Sequence, residues 1–282
     1  MVSGMYLKYI NFIISIIPRS GVDCRYLNLG YNQHGRLGMR YVRFRDPAGA
    51  VRRGTWTDTD EIRFGGERYT PDDVDVLAPS EPSKIVCVGL NYAGHAEELG
   101  KEPPDRPRMF FKPPNTVSSH GATVTLPADK DRIEYEAELG VVIGEQCRNV
   151  DESEAMDVVE GYTCMNDLSN RDDQHIEQNY VRGKGFDGAA PLGPVVVSPE
   201  AVPDDAFVRT RVNGEQKQDG SLSELIFSVP ELIAEITAYI TLEAGDVVST
   251  GTPKGVGPLT DGDEVEIEIE GIGTLQHSVR IP

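Results

Sequence analysis

Ile133-Glu-Tyr-Glu-Ala-Glu-Leu-Gly-Val-Val-Ile143 alternates carboxylates with apolar residues and then runs on without charge. In an extended strand, residues i, i+2 and i+4 point to the same face. Glu134, Glu136 and Glu138 therefore share one side, and Tyr135, Ala137 and Leu139 the other. The run Val141 to Ile143 offers no polar face beyond the triplet, which argues that both sides turn inward. Like charges side by side repel, and burying one alone costs several kcal/mol or more. A bound cation is the simplest compensation. All-oxygen donors suit a hard ion, Mg²⁺ or Mn²⁺ first and Ca²⁺ next. Spacing alone does not separate such a site from a solvated face. Glu264, Glu266, Glu268 and Glu270 alternate in the same way around Val265, Ile267 and Ile269, and we read them as a solvated face of a strand that turns back at Gly271-Ile-Gly273.

Outward from this stretch, strands dominate. Residues 40–79 hold strand-like runs around Tyr41, Val51 and Ile62, with Gly65-Gly66 as a turn, and read as a small β domain spanning 39–79. Ala78-Pro-Ser-Glu-Pro-Ser83 reads as a linker into a larger domain over 80–282. There, Lys84-Ile-Val-Cys-Val-Gly-Leu90 is a buried strand leading to a helix near Ala93 to Gly100. Asp151 is placed to cap a helix running to about Glu160. Ser228 caps another, with Pro230 near its start and Leu232, Ile233, Ile236 and Ile240 as its apolar stripe. No βαβ rhythm appears, so the expectation is an α+β, mainly β fold.

Composition narrows the classes. The chain carries 27 Lys plus Arg against 46 Asp plus Glu, a net charge of −19 that would repel phosphate backbones and excludes nucleic acid as a partner. The acid is spread along the chain, as on proteins of salt-loving organisms, and we read the protein as halophilic. Four scattered cysteines with no C-x-x-C make neither a disulfide framework nor a zinc site, which points to a reduced, cytoplasmic setting. Residues 1–38 differ, with four basic residues and one acidic. Their apolar run is too short to span a bilayer, so no membrane is expected. We read 1–38 as upstream sequence joined to a chain that begins at Met39.

Two further segments carry chemistry. Asp167 follows the apolar stretch Tyr162 to Met165 and is placed at a strand end to supply a third oxygen ligand, with Arg171 and Gln174 sharing a face after it. His95 and Glu98, three apart on the early helix, would let a carboxylate orient an imidazole that deprotonates water. Alone, such a pair is more often a surface contact. Gly183-Lys184-Gly185 and Pro253-Lys254-Gly255 are not P-loops, because no Ser or Thr follows the Lys, and no G-x-S-x-G elbow exists.

Taken together, VGLNYAGHAEE (88–98), FFKPPNTV (110–117), YEAELGVVIG (135–144), GYTCMNDLSNRDDQ (161–174), RGKGFDGAAPLGP (182–194), RVNGEQKQDG (211–220), FSVPELI (227–233) and STGTPKGVG (249–257) resemble the fumarylacetoacetate hydrolase family, in family order over 84–282. Within that family the likeness is to acylpyruvases and 2-hydroxyhepta-2,4-diene-1,7-dioate isomerases. The resemblance implies a mixed β-roll and a homodimer. It implies that Glu136, Glu138 and Asp167 hold Mg²⁺ or Mn²⁺, leaving Glu134 outside the set. It implies that Lys184, Arg171 and Gln174 face the substrate, that Gly251 and Thr252 receive a substrate carboxylate, and that His95 and Glu98 form the hydrolytic pair on a segment that acts as a lid. Asn170 departs from the family, which usually has a small residue there. The expected activity is hydrolytic C–C cleavage of a 2,4-dioxo acid of the acylpyruvate or fumarylpyruvate type, part of aromatic-compound catabolism. The alternatives are an isomerase/decarboxylase of the homoprotocatechuate (4-hydroxyphenylacetate) pathway or an oxaloacetate decarboxylase. The rival outside enzymology is a halophilic β protein whose carboxylates only hydrate its surface.

Overall fold

A computed structural model describes residues 40–282, so the reading of residues 1–38 and of a start at Met39 lies outside the described residues. Strands dominate in three sheets of twelve, five and three strands. At the centre of the large sheet Ala137–Ile143 lies antiparallel to Val159–Asn166 on one side and to Val247–Ser249 on the other. Val159–Asn166 in turn pairs with Ala190–Val197, while Val247–Ser249 runs parallel to Ile85–Gly89. The five-stranded sheet holds Phe207–Val212, Glu215–Ser221, Glu264–Ile269, Gly273–Arg280 and Thr123–Thr125. The mainly β, mixed architecture follows the alternation of the sequence.

Why the central strand carries no water-facing side is visible in its packing. Tyr135, Ala137, Leu139, Val141 and Ile143 join the main core with Phe44, Val88, Ile267 and Leu275. The opposite face continues from the carboxylates to Val142, which packs with Ile85, Cys87, Met165 and Leu192. The 264–270 strand does differ. Val265, Ile267 and Ile269 are buried, and the glutamates between them are exposed or half-buried.

The N-terminal strands form where the sequence places them, Arg40–Arg45, Val51–Trp56 and Ile62–Phe64 among them. Arg40–Arg45 also pairs with Ala190–Val197 through Arg40↔Val197 and Tyr41↔Val196, so these strands continue the large sheet. Helix Val229–Tyr239 starts at a capping box in which Ser228 and Glu231 satisfy each other's backbone N–H groups. One expectation fails. Residues 152–158 form a 3-10 segment, Glu152–Val158, without a side-chain cap from Asp151. The chain then enters the sheet at Val159, a buried β-branched residue of the kind that favours a strand.

Candidate active site

Glu136 is where the chain leaves one sheet for another. Ile133–Tyr135 belongs to the three-stranded sheet with Ser169–Asn170 and Gly257–Pro258, and Ala137–Ile143 belongs to the large sheet. Between them, Glu136 N–H donates to Asn166 Oδ1 at 2.9 Å, and Glu136 C=O accepts from Asp167 N–H at 2.8 Å. This junction sets Asp167 beside the alternating carboxylates. Ligand atoms of Glu136, Glu138 and Asp167 lie within 4.8 Å of one another. The three residues are 5%, 2% and 1% exposed, which rules out the reading of these carboxylates as surface hydration.

Cations of the chain meet most of this charge. Lys184 Nζ bridges Glu136 Oε2 at 2.5 Å and Asp167 Oδ2 at 2.7 Å. Arg171 donates to Glu136 and, at 2.6 Å, to Glu134 Oε2, while Arg132 donates to Glu134 Oε1 at 2.5 Å. Glu134 is thus paired with two arginines. Glu138 stands apart. Its Oε2 accepts from two neutral donors, Ser249 Oγ at 2.5 Å and Gly251 N–H at 2.8 Å, and it makes no ion pair among the described residues. Burial works to raise the Glu136 carboxyl, but Arg171 and Lys184 outweigh it and hold it well below its ordinary value. Burial, then Asp167 and Glu136, push Glu138 up to about 8. All-oxygen chemistry, mutual spacing and one uncompensated buried carboxylate together fit a divalent cation.

The consequence for pH has a definite sign. Cation binding needs the ionised carboxylate, so below about 8 it must expel the Glu138 proton. We expect release approaching one proton per bound cation near neutrality, vanishing at more alkaline pH, measured by calorimetry in buffers of different ionisation heat. In the metal-free protein, the raised folded value against 4.5 unfolded means this group's contribution to stability is present at acid pH and is lost as pH rises toward 8.

The remaining expected residues gather at the same place. Arg171 Nη1 donates to Gln174 Oε1 at 2.8 Å, and Asn170, buried, caps their short helix and donates to Asp173 Oδ2 at 2.7 Å. The departure at Asn170 is therefore satisfied locally. His95 Nδ1 lies 2.9 Å from Glu98 Oε2. Its ring is close enough to Glu136 to help hold that carboxyl low. Gly251 has φ +99°, and a Cβ there would stand 2.8 Å from Asn91 Cβ, so only glycine allows this backbone to reach Glu138. Thr252 Oγ1 accepts from Gln218 Nε2 at 2.8 Å.

Sequence reasoning gave no role to Lys112. Its ammonium is fully buried, donates to the carbonyls of Leu168, Lys184 and Ala189 at 2.8–3.0 Å, and lies 2.8 Å from Asp167 Oδ1. Burial lowers its pKa, and Asp167 opposes that. The signal was present: a lone charge between Phe110-Phe111 and Pro113-Pro114. Asn166 and His277 carried no comparable signal. Asn166 Nδ2 lies 2.9 Å from His277 Nε2, and burial brings that imidazole down to about 4, so it is a neutral acceptor.

Comparison with known proteins places this geometry. Residues 84–280 match the family described as fumarylacetoacetate (FAA) hydrolase C-terminal. A Bacillus subtilis oxaloacetate tautomerase is 41% identical over 238 residues, covering 79% of each chain. A 4-hydroxyphenylacetate degradation bifunctional isomerase/decarboxylase of Escherichia coli is 45% identical over 206 residues, which cover 71% of this chain and 48% of that longer one. Among solved structures, a 2-hydroxyhepta-2,4-diene-1,7-dioate isomerase from Mycobacterium marinum superimposes with TM-score 0.78 at 36% identity, covering 86% of this chain and 98% of that one. A fumarylpyruvate hydrolase from Pseudomonas aeruginosa, in complex with Mn²⁺ and pyruvate, gives 0.66 at 30% identity, covering 74% and 92%. Among the described residues no helix is long and apolar enough to cross a membrane.

Proposed function

Because the chain belongs to the fumarylacetoacetate hydrolase family, whose members are enzymes, we propose that it is a divalent-metal-dependent hydrolase cleaving the C–C bond of a 2,4-dioxo acid. The observation that carries this reading is the His95–Glu98 contact at 2.9 Å beside a buried carboxylate triad. A Mg²⁺ or Mn²⁺ ion held by Glu136, Glu138 and Asp167 would serve as Lewis acid toward the 2-oxo acid end of the substrate. Lys184 and Arg171 set positive charge where the enolate oxygen develops. Gly251 and Thr252 offer a close, glycine-permitted approach for the substrate carboxylate. Glu98 orients His95, which takes a proton from water as that water attacks the distal carbonyl. The C–C electron pair passes to the pyruvate enolate, which is protonated, and the other half leaves as a carboxylic acid. A cytoplasmic homodimer is part of the same proposal and rests on the family.

A second reading has its own support. The relatives at 45% and 41% identity are an isomerase/decarboxylase and a tautomerase, and the same enolate serves those reactions without attack by water. One assay separates them. With Mg²⁺ or Mn²⁺, acetylpyruvate should yield acetate and pyruvate in equal amounts, and a chelator should stop it. Enol–keto conversion or CO₂ release from oxaloacetate, with acetylpyruvate intact, would replace the hydrolytic reading by the second.

A further inference from the structure

Helix Ala93–Glu98 is a short element that carries both members of the proposed hydrolytic pair. A helix of this length has little stability of its own, so contacts from elsewhere must fix its last turn. Glu98 ends it, with its side chain 37% exposed. Gly255 N–H donates to both Glu98 oxygens, at 3.1 and 3.3 Å. Gly255 C=O in turn accepts the Tyr135 phenol at 3.1 Å. Tyr135 stands between Glu134 and Glu136 in sequence but on the opposite face of the strand, and is paired with Gly257.

Glycines make room for this contact. Gly255 has φ +97°, and a Cβ on it would lie 2.3 Å from the Lys217 carbonyl oxygen. A Cβ on Gly257 would lie 2.8 Å from the Tyr135 hydroxyl. The loop backbone thus lies against strand Glu215–Ser221 at Gly255 and against the Tyr135 phenol at Gly257. We propose that Tyr135 is a positioning residue for the His95–Glu98 pair, tying Glu98 through Gly255 to strand Ile133–Tyr135, which leads directly into Glu136. The inference rests on the hydrolytic reading of that pair.

Tyr135→Phe keeps the ring and removes only the hydroxyl, so the fold is retained. Acylpyruvate hydrolysis should lose about tenfold in kcat, the scale of a misplaced catalytic group, with KM and cation affinity unchanged. In a Glu98→Ala background the same substitution should cost nothing further, because the tether acts through Glu98. Independently of turnover, nitrogen NMR of the His95 ring should report a changed Nδ1 environment in Tyr135→Phe. Equal fractional losses in both backgrounds, or wild-type kcat with an unchanged ring signal, would overturn the proposal. If the wild-type enzyme cleaves no acylpyruvate, the hydrolytic reading fails, and the ring signal still decides whether the tether exists.

Discussion

Glu138→Gln is expected to abolish divalent-cation binding while leaving the metal-free protein as stable as wild type, or more so. The reason lies in how charge is shared. Glu134, Glu136 and Asp167 each form an ion pair with a lysine or arginine, whereas Glu138 accepts from the neutral Ser249 and Gly251 and makes no ion pair among the described residues. With its carboxyl pushed to about 8, Glu138 is a neutral acid at ordinary pH until a cation arrives. A glutamine reproduces that neutral form in nearly the same volume but cannot ionise to hold the ion. Glu136→Ala should behave differently. It removes a ligand and also leaves Arg171 and Lys184 without their buried partner, so cation binding and activity vanish together with about 3–5 kcal/mol of stability. Calorimetric cation titration and chemical denaturation of the two variants side by side check this. Retained activity without metal dependence in Glu136→Ala would refute the site, and a large loss of stability in metal-free Glu138→Gln would refute the charge assignment.

His95→Ala is expected to lower acylpyruvate hydrolysis by roughly 10²–10⁴-fold, the range for loss of a general base. Cation affinity should stay within a few-fold of wild type, because His95 donates no ligand atom to the triad and acts on Glu136 only through space. A steady-state assay paired with cation titration separates the two quantities. Unchanged cleavage in this variant would show that water is activated elsewhere. Enol–keto exchange, which needs no attacking water, should survive the substitution, so the same variant also sorts the two readings of the reaction.

The sequence made the central strand and its three alternating glutamates legible because period-two alternation ran directly into an uninterrupted apolar stretch. That pattern leaves no solvent face, and all residues from Ile133 to Ile143 are indeed buried. The same logic separated the exposed or half-buried glutamates of 264–270 by their flanks. The change of sheet at Glu136 was not legible. An extended backbone reads alike on both sides of such a junction, and only the pairing partners, far apart in sequence, distinguish Ile133–Tyr135 from Ala137–Ile143. The compensation of charge was also hidden. From the strand alone, a metal ion is the simplest counter-charge. The fold brings Lys112, Arg171 and Lys184 to the same carboxylates and narrows the need for an ion to Glu138. Local propensity misled at 152–158, where an acidic first turn suggests an α-helix but the segment stays 3-10 and the sheet begins at Val159.

The central claim is that one buried site, built from Glu136, Glu138 and Asp167, takes one divalent cation. Calorimetric titration of Mn²⁺ into metal-stripped protein, repeated with oxalate as competitor and in two buffers of different ionisation heat, tests it most directly. A single saturable site per chain, proton release near neutrality, coupling to oxalate, and loss of all three in Glu138→Gln are expected. Diffuse, weak binding that follows the overall acidic charge and ignores the substitution would contradict it.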